Sequence, residues 1–479
     1  MASFVSTNQE SIITTNPIYD RNIAQTGEYI NINKTNIYLY MDEAYYGSGG
    51  FRDGRYLIPF SRESSYEQRR QLAHYKNYLK PIIRAMIDPC FTDKVIRKVN
   101  PEDSLFSDFI DDCDASGMVL QDYSYQALNI CRRHGLVLTV VDNFPEQPET
   151  YLEAKNRRIY PYIYHKKAYE VDSYILDSYY NLSEIILTDK TIQVDGKPVR
   201  QWRRWTRDTS TLLQKSKDLK SWIEISVDWH NLGIVPVILT YSEILENKCD
   251  ILPDPPLYDL ARLNAVIYNQ SAEIRDQERA QAFSIFYCQG MPTGDVSIGP
   301  TNYINIPLEA SITPGYASPD FSIIAGLVAN QEQIRKDLYS IAEQNGVVGV
   351  QNSESGIAKS YDFFAHESTL KKTSSIATTL EDNIAEIFKL YTGEKFEYNV
   401  IYPTDFQPMG LDREIDRIEK ILKLPGLDPL FKSSIQKKLV RLYMSDEPEE
   451  TVSEIIDSIN SKVPKNIIAE QNGAETDAN

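Results

Sequence analysis

The side chains able to do chemistry in this chain are numerous, but few stand at the spacings that chemistry requires. Five histidines, His74, His134, His165, His230 and His366, are scattered, and no pair has metal-ligand spacing. Asp112-Cys113-Asp114-Ala115-Ser116-Gly117 resembles the first half of a calcium loop. Its twelfth position, where a bidentate Glu would close the site, is Tyr123, so a corner between two helices is the better reading. A metal-dependent nuclease would need carboxylates converging on metal ions. The 68 Asp and Glu residues offer many, and spacing singles out none. The run Asp446, Glu447, Glu449, Glu450 and Glu454 fits a solvated helix face. The motifs G-x-x-x-x-G-K-[ST], H-E-x-x-H and G-x-S-x-G do not occur, which excludes a P-loop motor and the commonest hydrolase signatures. Gly47-Ser48-Gly49-Gly50 lacks the helix-opening context of a phosphate cradle and reads as turn glycines. Cys90, Cys113, Cys131, Cys249 and Cys288 are odd in number, far apart and without a C-x-x-C pair, as expected of free buried thiols in a reducing compartment. The expectation is a protein that is not an enzyme and holds no cofactor or metal.

Composition sets the scale. The chain has 479 residues, 42% hydrophobic and 25% charged, enough for a packed core and for two to four domain-sized units. Its net charge of −18 disfavours a sequence-reading DNA binder. An acidic wall would still suit a conduit, because a lining that gripped phosphates would stall a moving duplex. Tyr numbers 32 against 16 Phe. That excess suits broad subunit contacts, and equally well reflects a compositional habit. No stretch approaches 18 apolar residues, so no transmembrane helix is expected. The N-terminal MASFVSTNQESIITTNPIYD lacks an apolar signal core, so the chain is expected to be made and to act in soluble form.

Residues 1–40 show no period and read as a mobile arm or weak strands. Leu72, Tyr75, Leu79, Ile82, Ile83, Met86 and Ile87 step by threes and fours, predicting a helix within 64–99 that starts at Ser64 or Ser65 and is kinked or ended by Pro81 and Pro89. Two further helices are predicted within 104–135, then a buried strand at 136–141. Residues 158–245 are β-rich, with 206–220 a polar loop or hairpin tip. A long helix begins near Leu257, with Leu260, Leu263, Ile267 and Ile274 on one stripe. Running to Phe283, it would be roughly 40 Å long. Pro292, Pro300, Pro307, Pro314 and Pro319 forbid helix over 284–320, which reads as a small β-containing excursion. A second long helix follows, with Ile323, Leu327, Ile334, Leu338 and Ile341 in step. A polar loop at 347–357, a third long helix at 358–392, a short strand at 396–402, helices within 411–463 and a disordered tail complete the reading.

Two segments carry a resemblance. One is YLIPFSRESSYEQRRQLAHYKNYLKPIIRAMIDPCF at 56–91. The other is IVPVILTY at 234–241 followed by PDPPLYDLARLNAVIYNQSAEIRDQERAQAFSIFYCQG at 253–290. Together, and with the order of the later elements, they resemble the portal proteins of tailed bacteriophages from about residue 45 to 463. The resemblance implies an α+β portal fold with a mixed wing domain, long stem helices, a small β-containing clip and a helical C-terminal crown. Under it, 1–44 is an N-terminal arm and 45–252 wing. Residues 253–283 and 321–346 are the two stem helices, flanking the clip at 284–320. Residues 347–357 are the tunnel loop, 358–410 the tunnel helix and wing return, 411–463 the crown and 464–479 a tail. It implies a ring of identical subunits, usually twelve, at one capsid vertex of the virion, assembled in the host cytoplasm. Double-stranded DNA would pass through the channel without sequence preference during packaging and ejection. The implied partners are further copies of the chain, the major capsid protein, a head–tail adaptor and the terminase packaging motor, with no membrane. Gln351, Asn352 and Ser353 of the tunnel loop, with Lys359, Lys371 and Lys372 on the helix after it, become candidates for the DNA channel. Each lysine reads slightly better as part of a solvated helix face or as a salt bridge between subunits. Tyr303, Ile304, Asn305 and Ile306 of the clip become candidates for docking adaptor and motor. A different virion connector protein and a metal-dependent nuclease stand as alternatives.

Overall fold

The computed structural model describes residues 3–6 and 34–461, apart from 61–62, 64–65, 93–94, 147, 195–196, 216–221, 249, 282–284, 290–302, 307–312, 314, 318–321, 343–355, 405, 407–417, 419, 423–427 and 444–448. The chain divides into two compact units, Met1–Phe406 and Gln407–Asn479. The class is α+β, as expected.

The first unit begins with strand β1 (Ser3–Ser6) and helix α1 (Lys34–Tyr46). Residues 34–40, expected in an arm or weak strands, are therefore helical. Tyr38, Tyr40, Met41, Ala44 and Tyr45 of α1 are all buried. A helix enclosed on several sides has no single apolar stripe, so no period betrays it. The predicted helix within 64–99 is also corrected. It is two short helices, α2 (Tyr66–Leu72) and α3 (Leu79–Ala85), a 3₁₀ turn at Asp88–Phe91 and strand β2 (Ile96–Asn100). The break has a cause. The Tyr78 amide donates to Asn264 Oδ1 at 3.0 Å and the Lys80 amide to Asn77 Oδ1 at 3.0 Å, so both leave the helical ladder. Pro81 falls in the first turn of α3, where a missing N–H costs nothing. The proposed caps Ser64 and Ser65 lie outside the described residues.

Helix α4 (Leu105–Asp111) starts on Ser104, whose Oγ accepts from the Phe106 amide at 3.0 Å. Helix α5 (Leu120–His134) carries Asp122 in its first turn and Arg132, Arg133 and His134 in its last, matching the helix dipole. Gly135 ends it with φ +80°, a left-handed conformation that favours glycine. A Cβ there would lie 3.0 Å from Pro253 Cγ and 3.2 Å from the Asp254 carbonyl oxygen. Gly135→Ala is thus expected to lower the stability of the first unit by about 1–3 kcal/mol, through backbone strain and a contact that rigid prolines cannot relieve. A thermal melt unchanged within about 2 °C would count against that account.

Strand β3 (Leu136–Asp142) follows, buried on six of its seven residues, then α6 (Tyr151–Arg157) and β4 (Tyr162–Lys167). The β-rich stretch then lays down β5 (Val171–Leu176), β6 (Leu182–Val194), β7 (Lys197–Trp205), β8 (Thr209–Lys215) and β9 (Trp222–Trp229). These form an antiparallel six-stranded sheet in the order β1-β5-β6-β7-β8-β9. The expected loop at 206–220 is partly β8, with Ser210, Thr211 and Leu213 buried. The polar hydroxyls of TST hide a strand that the pattern could not show. Strand β10 (Val237–Tyr241) completes the three-stranded sheet β10-β3-β4.

Helix α7 (Tyr258–Gln281) leads into a small sheet of β11 (Ile285–Gln289), β12 (Tyr303–Ile306) and β13 (Gly315–Ala317), ordered β12-β11-β13. Helix α8 (Ser322–Ile341) returns, and α9 (Gly356–Thr392) runs 37 residues, roughly 55 Å. Strand β14 (Glu397–Ile401) pairs with β2. The core has a tyrosine-rich cluster around α1, α3 and α7 and a phenylalanine cluster of Phe106, Phe109, Phe388 and Phe396. In the second unit α10 (Pro429–Tyr443) packs on α11 (Glu449–Ser461). Most of the helix predicted at 411–424, and the tail from 464, lie outside the described residues.

Candidate functional site

The two helices α7 and α8, joined through the small sheet, have different fates. The stripe of α7 is covered by its own chain. Leu260, Ile267 and Ile274 are buried, and Tyr268 packs edge-on against Phe51 and Tyr75. Two asparagines lock it in place. Asn264 Oδ1 accepts from Tyr75 OH at 2.9 Å and its Nδ2 donates to the Lys76 carbonyl at 2.8 Å. Asn269 Oδ1 accepts from the Ile58 amide at 2.9 Å, and its Nδ2 donates to the Tyr56 carbonyl at 3.1 Å. A polar residue on an apolar helix carries no sequence signal that says what it bonds, so both were missed. The apolar stripe of α7 is therefore covered without a neighbouring subunit.

Helix α8 is different. Gln331 Nε2 ties it to α7 through Ser271 Oγ at 2.8 Å and the Ile267 carbonyl at 3.2 Å. Leu338 is buried at its end. Leu327 and Ile334 are only half-buried, and no residue of 322–337 with described burial is fully buried. Val328 is 47% exposed and Ile341 58%. The exposed face of α8 is small and apolar over Ala325, Gly326, Val328 and Ala329, and polar over Asn330, Glu332, Gln333, Lys336 and Asp337.

Helix α9 is anchored by a buried carboxylate. Glu381 is inaccessible to solvent, and Arg97 binds it through Nε at 2.9 Å and Nη2 at 2.8 Å. Ser124 Oγ donates to it at 2.7 Å and Tyr398 OH at 2.6 Å, and Tyr402 OH donates as well. Earlier on α9, Thr373, Thr378 and Thr379 hydroxyls bond back to carbonyls four residues before them, which bends helices. Lys359 lies in the first turns of α9, and its side chain is outside the described set. Lys371 is exposed and pairs at 2.8 Å with Glu367, four residues earlier on the same helix, a bridge within the chain and not the expected one between subunits. Lys372 is exposed and lines a cavity. Gln351, Asn352 and Ser353 lie outside the described residues. Tyr303, Ile304, Asn305 and Ile306 together form β12, paired in parallel with Phe286–Gln289 of β11.

The cavity measures about 1130 Å³ and lies between the 241–248 segment, the start of α7, the end of α8 and the middle of α9. Arg132 lines it and is only 8% exposed. Its Nη2 donates to Thr373 Oγ1 at 2.6 Å and the Thr369 carbonyl at 3.4 Å, both neutral acceptors. Burial pulls the Arg132 pKa below its ordinary value, and the charge of Glu243 only partly opposes this. Lys248 and Lys372 add two cations, and Ile244, Leu257, Ile341 and Ile376 supply apolar wall. Ile244 is 96% exposed.

Other chemistry is engaged elsewhere. Asp112 Oδ2 accepts from Arg158 Nε at 2.9 Å and Oδ1 from the Gly117 amide at 2.8 Å, while Asp114 Oδ1 accepts from the Ser116 and Met118 amides. The motif is the hydrogen-bonded corner between α4 and α5, with a guanidinium on the carboxylate. Among the described residues no group of three His, Cys, Asp or Glu side chains is placed to hold a metal. Cys90, Cys113 and Cys131 are free and buried, and burial pushes the Cys113 and Cys131 thiols up to about 12. No described helix is long and apolar enough to cross a membrane.

No family model matches the chain, and no curated protein does. Among solved structures, a chain from the neck of an empty gene transfer agent particle, computed with C6 symmetry, superposes with TM-score 0.42 at 11% identity, covering 74% of this chain and 89% of that one. A chain from the virion of a native gene transfer agent particle superposes with TM-score 0.38 at 10% identity, covering 81% and 96%. At such identities and scores neither likeness decides what this chain does.

Proposed function

We propose that the chain is a structural protein of a phage-like virion, and within it the portal, a ring subunit with no catalytic activity of its own. The observation that carries this is α8. Within 322–337 Val328 and its small neighbours Ala325 and Ala329 stand in water and Leu327 and Ile334 are only half-buried, while Gln331 ties the helix to α7. Apolar side chains left in water beside a packed helix suit contact with a neighbour, and identical neighbours that repeat one head-to-tail contact generate a ring where the rotation closes. The element order supports the same reading: helix, small sheet, helix, then a 37-residue helix. It is the order of the portal proteins that residues 56–91 and 234–290 resemble. In that arrangement α7 and α8 form the stem and the β12-β11-β13 sheet the clip that meets adaptor and motor; of the tunnel loop expected at 347–357, Gly356 and Ile357 instead begin α9 and the rest lies outside the described residues.

Negative-stain images of the purified full-length chain are expected to show rings with a central hole. Val328→Asp places a charge on the exposed face of α8 without touching the core, and should lower the ring population at least tenfold while leaving the circular dichroism spectrum unchanged. A wild-type chain that stays monomeric at micromolar concentration, with α8 protected from amide exchange, would remove the portal reading.

A further inference from the structure

The strongest unassigned feature is the cavity floored by Arg132. We infer that this cavity is a seat for an apolar segment carrying a carboxylate, supplied by a second copy of the chain. A guanidinium 8% exposed with only neutral acceptors is a charge waiting for a counter-ion, because burial without a partner is costly. Three cations, Arg132, Lys248 and Lys372, face one carboxylate, Glu243, in a chain whose net charge is −18. The seat is thus a local positive site on an acidic protein, and every copy carries carboxylates in excess.

Shape and wall select the occupant. A volume of about 1130 Å³ far exceeds what one inorganic anion fills. Ile244, Leu257, Ile341 and Ile376 are walls for side chains of a polypeptide, whereas the backbone of duplex DNA, the part met without sequence preference, presents charged phosphates and sugars. The cavity also reaches the end of α8, where exposed Ile341 lines it. Ile244, 96% exposed at the rim, would be covered by the same contact. The seat rests on the ring reading only in taking the second copy to be a ring neighbour. It moves Lys372 from the DNA channel to the subunit contact.

The test is zero-length carbodiimide cross-linking, which joins a lysine to a carboxylate already in contact. Unlabelled and ¹⁵N-labelled full-length chains are mixed as separated subunits, assembled, cross-linked and digested. Lys248 or Lys372 is expected in peptides that join one unlabelled and one labelled partner. The double variant Lys248→Glu with Lys372→Glu changes two exposed side chains and should weaken self-association at least tenfold, as should Ile244→Asp. Rings without mixed-isotope links at either lysine would overturn the seat and leave the ring standing. Mixed links in assemblies that are not rings would keep the seat and remove the ring. Monomers without mixed links would remove both. Protection of the two lysines from acetylation by short duplex DNA or inorganic phosphate, but not by self-association, would also overturn the proposal.

Discussion

Glu381→Ala is expected to cost the first unit roughly 3–5 kcal/mol, a large fraction of the roughly 5–15 kcal/mol by which an ordinary domain is stable. The carboxylate has no exposed surface and receives Arg97 twice, Ser124 Oγ, Tyr398 OH and Tyr402 OH. Removing it leaves a guanidinium and three hydroxyls buried without their acceptor. These groups belong to β2, α5, the late part of α9, β14 and the residue after it, so the network joins the long helix to the body. The expected readout is a fall in the urea midpoint with little change in slope. The cost should come mostly from the orphaned charge, so adding Arg97→Met to Glu381→Ala should recover part of the loss. If Glu381→Ala lowers stability by less than about 1 kcal/mol, the network does not anchor α9.

The second large effect concerns acid. Asp42 on α1 accepts from His134 Nε2 at 3.0 Å and Lys167 Nζ at 2.6 Å, with Arg133 Nη1 at 3.4 Å. Burial alone would push its carboxyl up. The His134 hydrogen bond and the surrounding positive charge more than offset that, and hold it well below the usual carboxylate range. His134 is fully buried, and burial holds its pKa below the ordinary histidine value despite the pull of Asp42. Both groups are depressed in the fold. The stability each contributes is present above its unfolded pKa and is lost as pH falls towards and through its folded value. With ordinary values of about 6.5 for His and 3.9 for Asp, loss should begin below about pH 6.5 and steepen below about pH 4. Asp42→Asn should cost about 3–5 kcal/mol at neutral pH, because Arg133 and Lys167 lose their buried counter-charge. It should also flatten the steep limb below pH 4. Melting curves at half-unit pH steps check both, and a variant with an acid limb as steep as wild type would show that Asp42 is not its source.

Much of the architecture was legible beforehand. The stepped apolar residues at Leu260, Ile267 and Ile274 located α7, and the prolines of 284–320 located a non-helical insert where three short strands form. Runs such as LVLTVV and VILTY announced β3 and β10, because β-branched residues in continuous apolar runs have few other uses. The errors share a cause. Helix α1 is enclosed on several sides, β8 reads as polar, and the Tyr78 and Lys80 amides are taken by Asn264 and Asn77. In each case a partner distant in sequence, or enclosure, overrode the local pattern.

The chemistry divides in the same way. By itself the sequence determined the class of the fold, the order of helix, insert and helix, and the lack of familiar catalytic motifs, because these depend on residue type and short spacing. Only the tertiary structure decided that the α7 stripe is covered within its own chain while Val328 and Ile341 of α8 stay in water, and that Arg132, Lys248 and Lys372 share one cavity. Those facts depend on which surfaces are left over after the core has closed. Residues 132, 248 and 372 lie far apart along the chain, and nothing local to any of them carries the distance to the others.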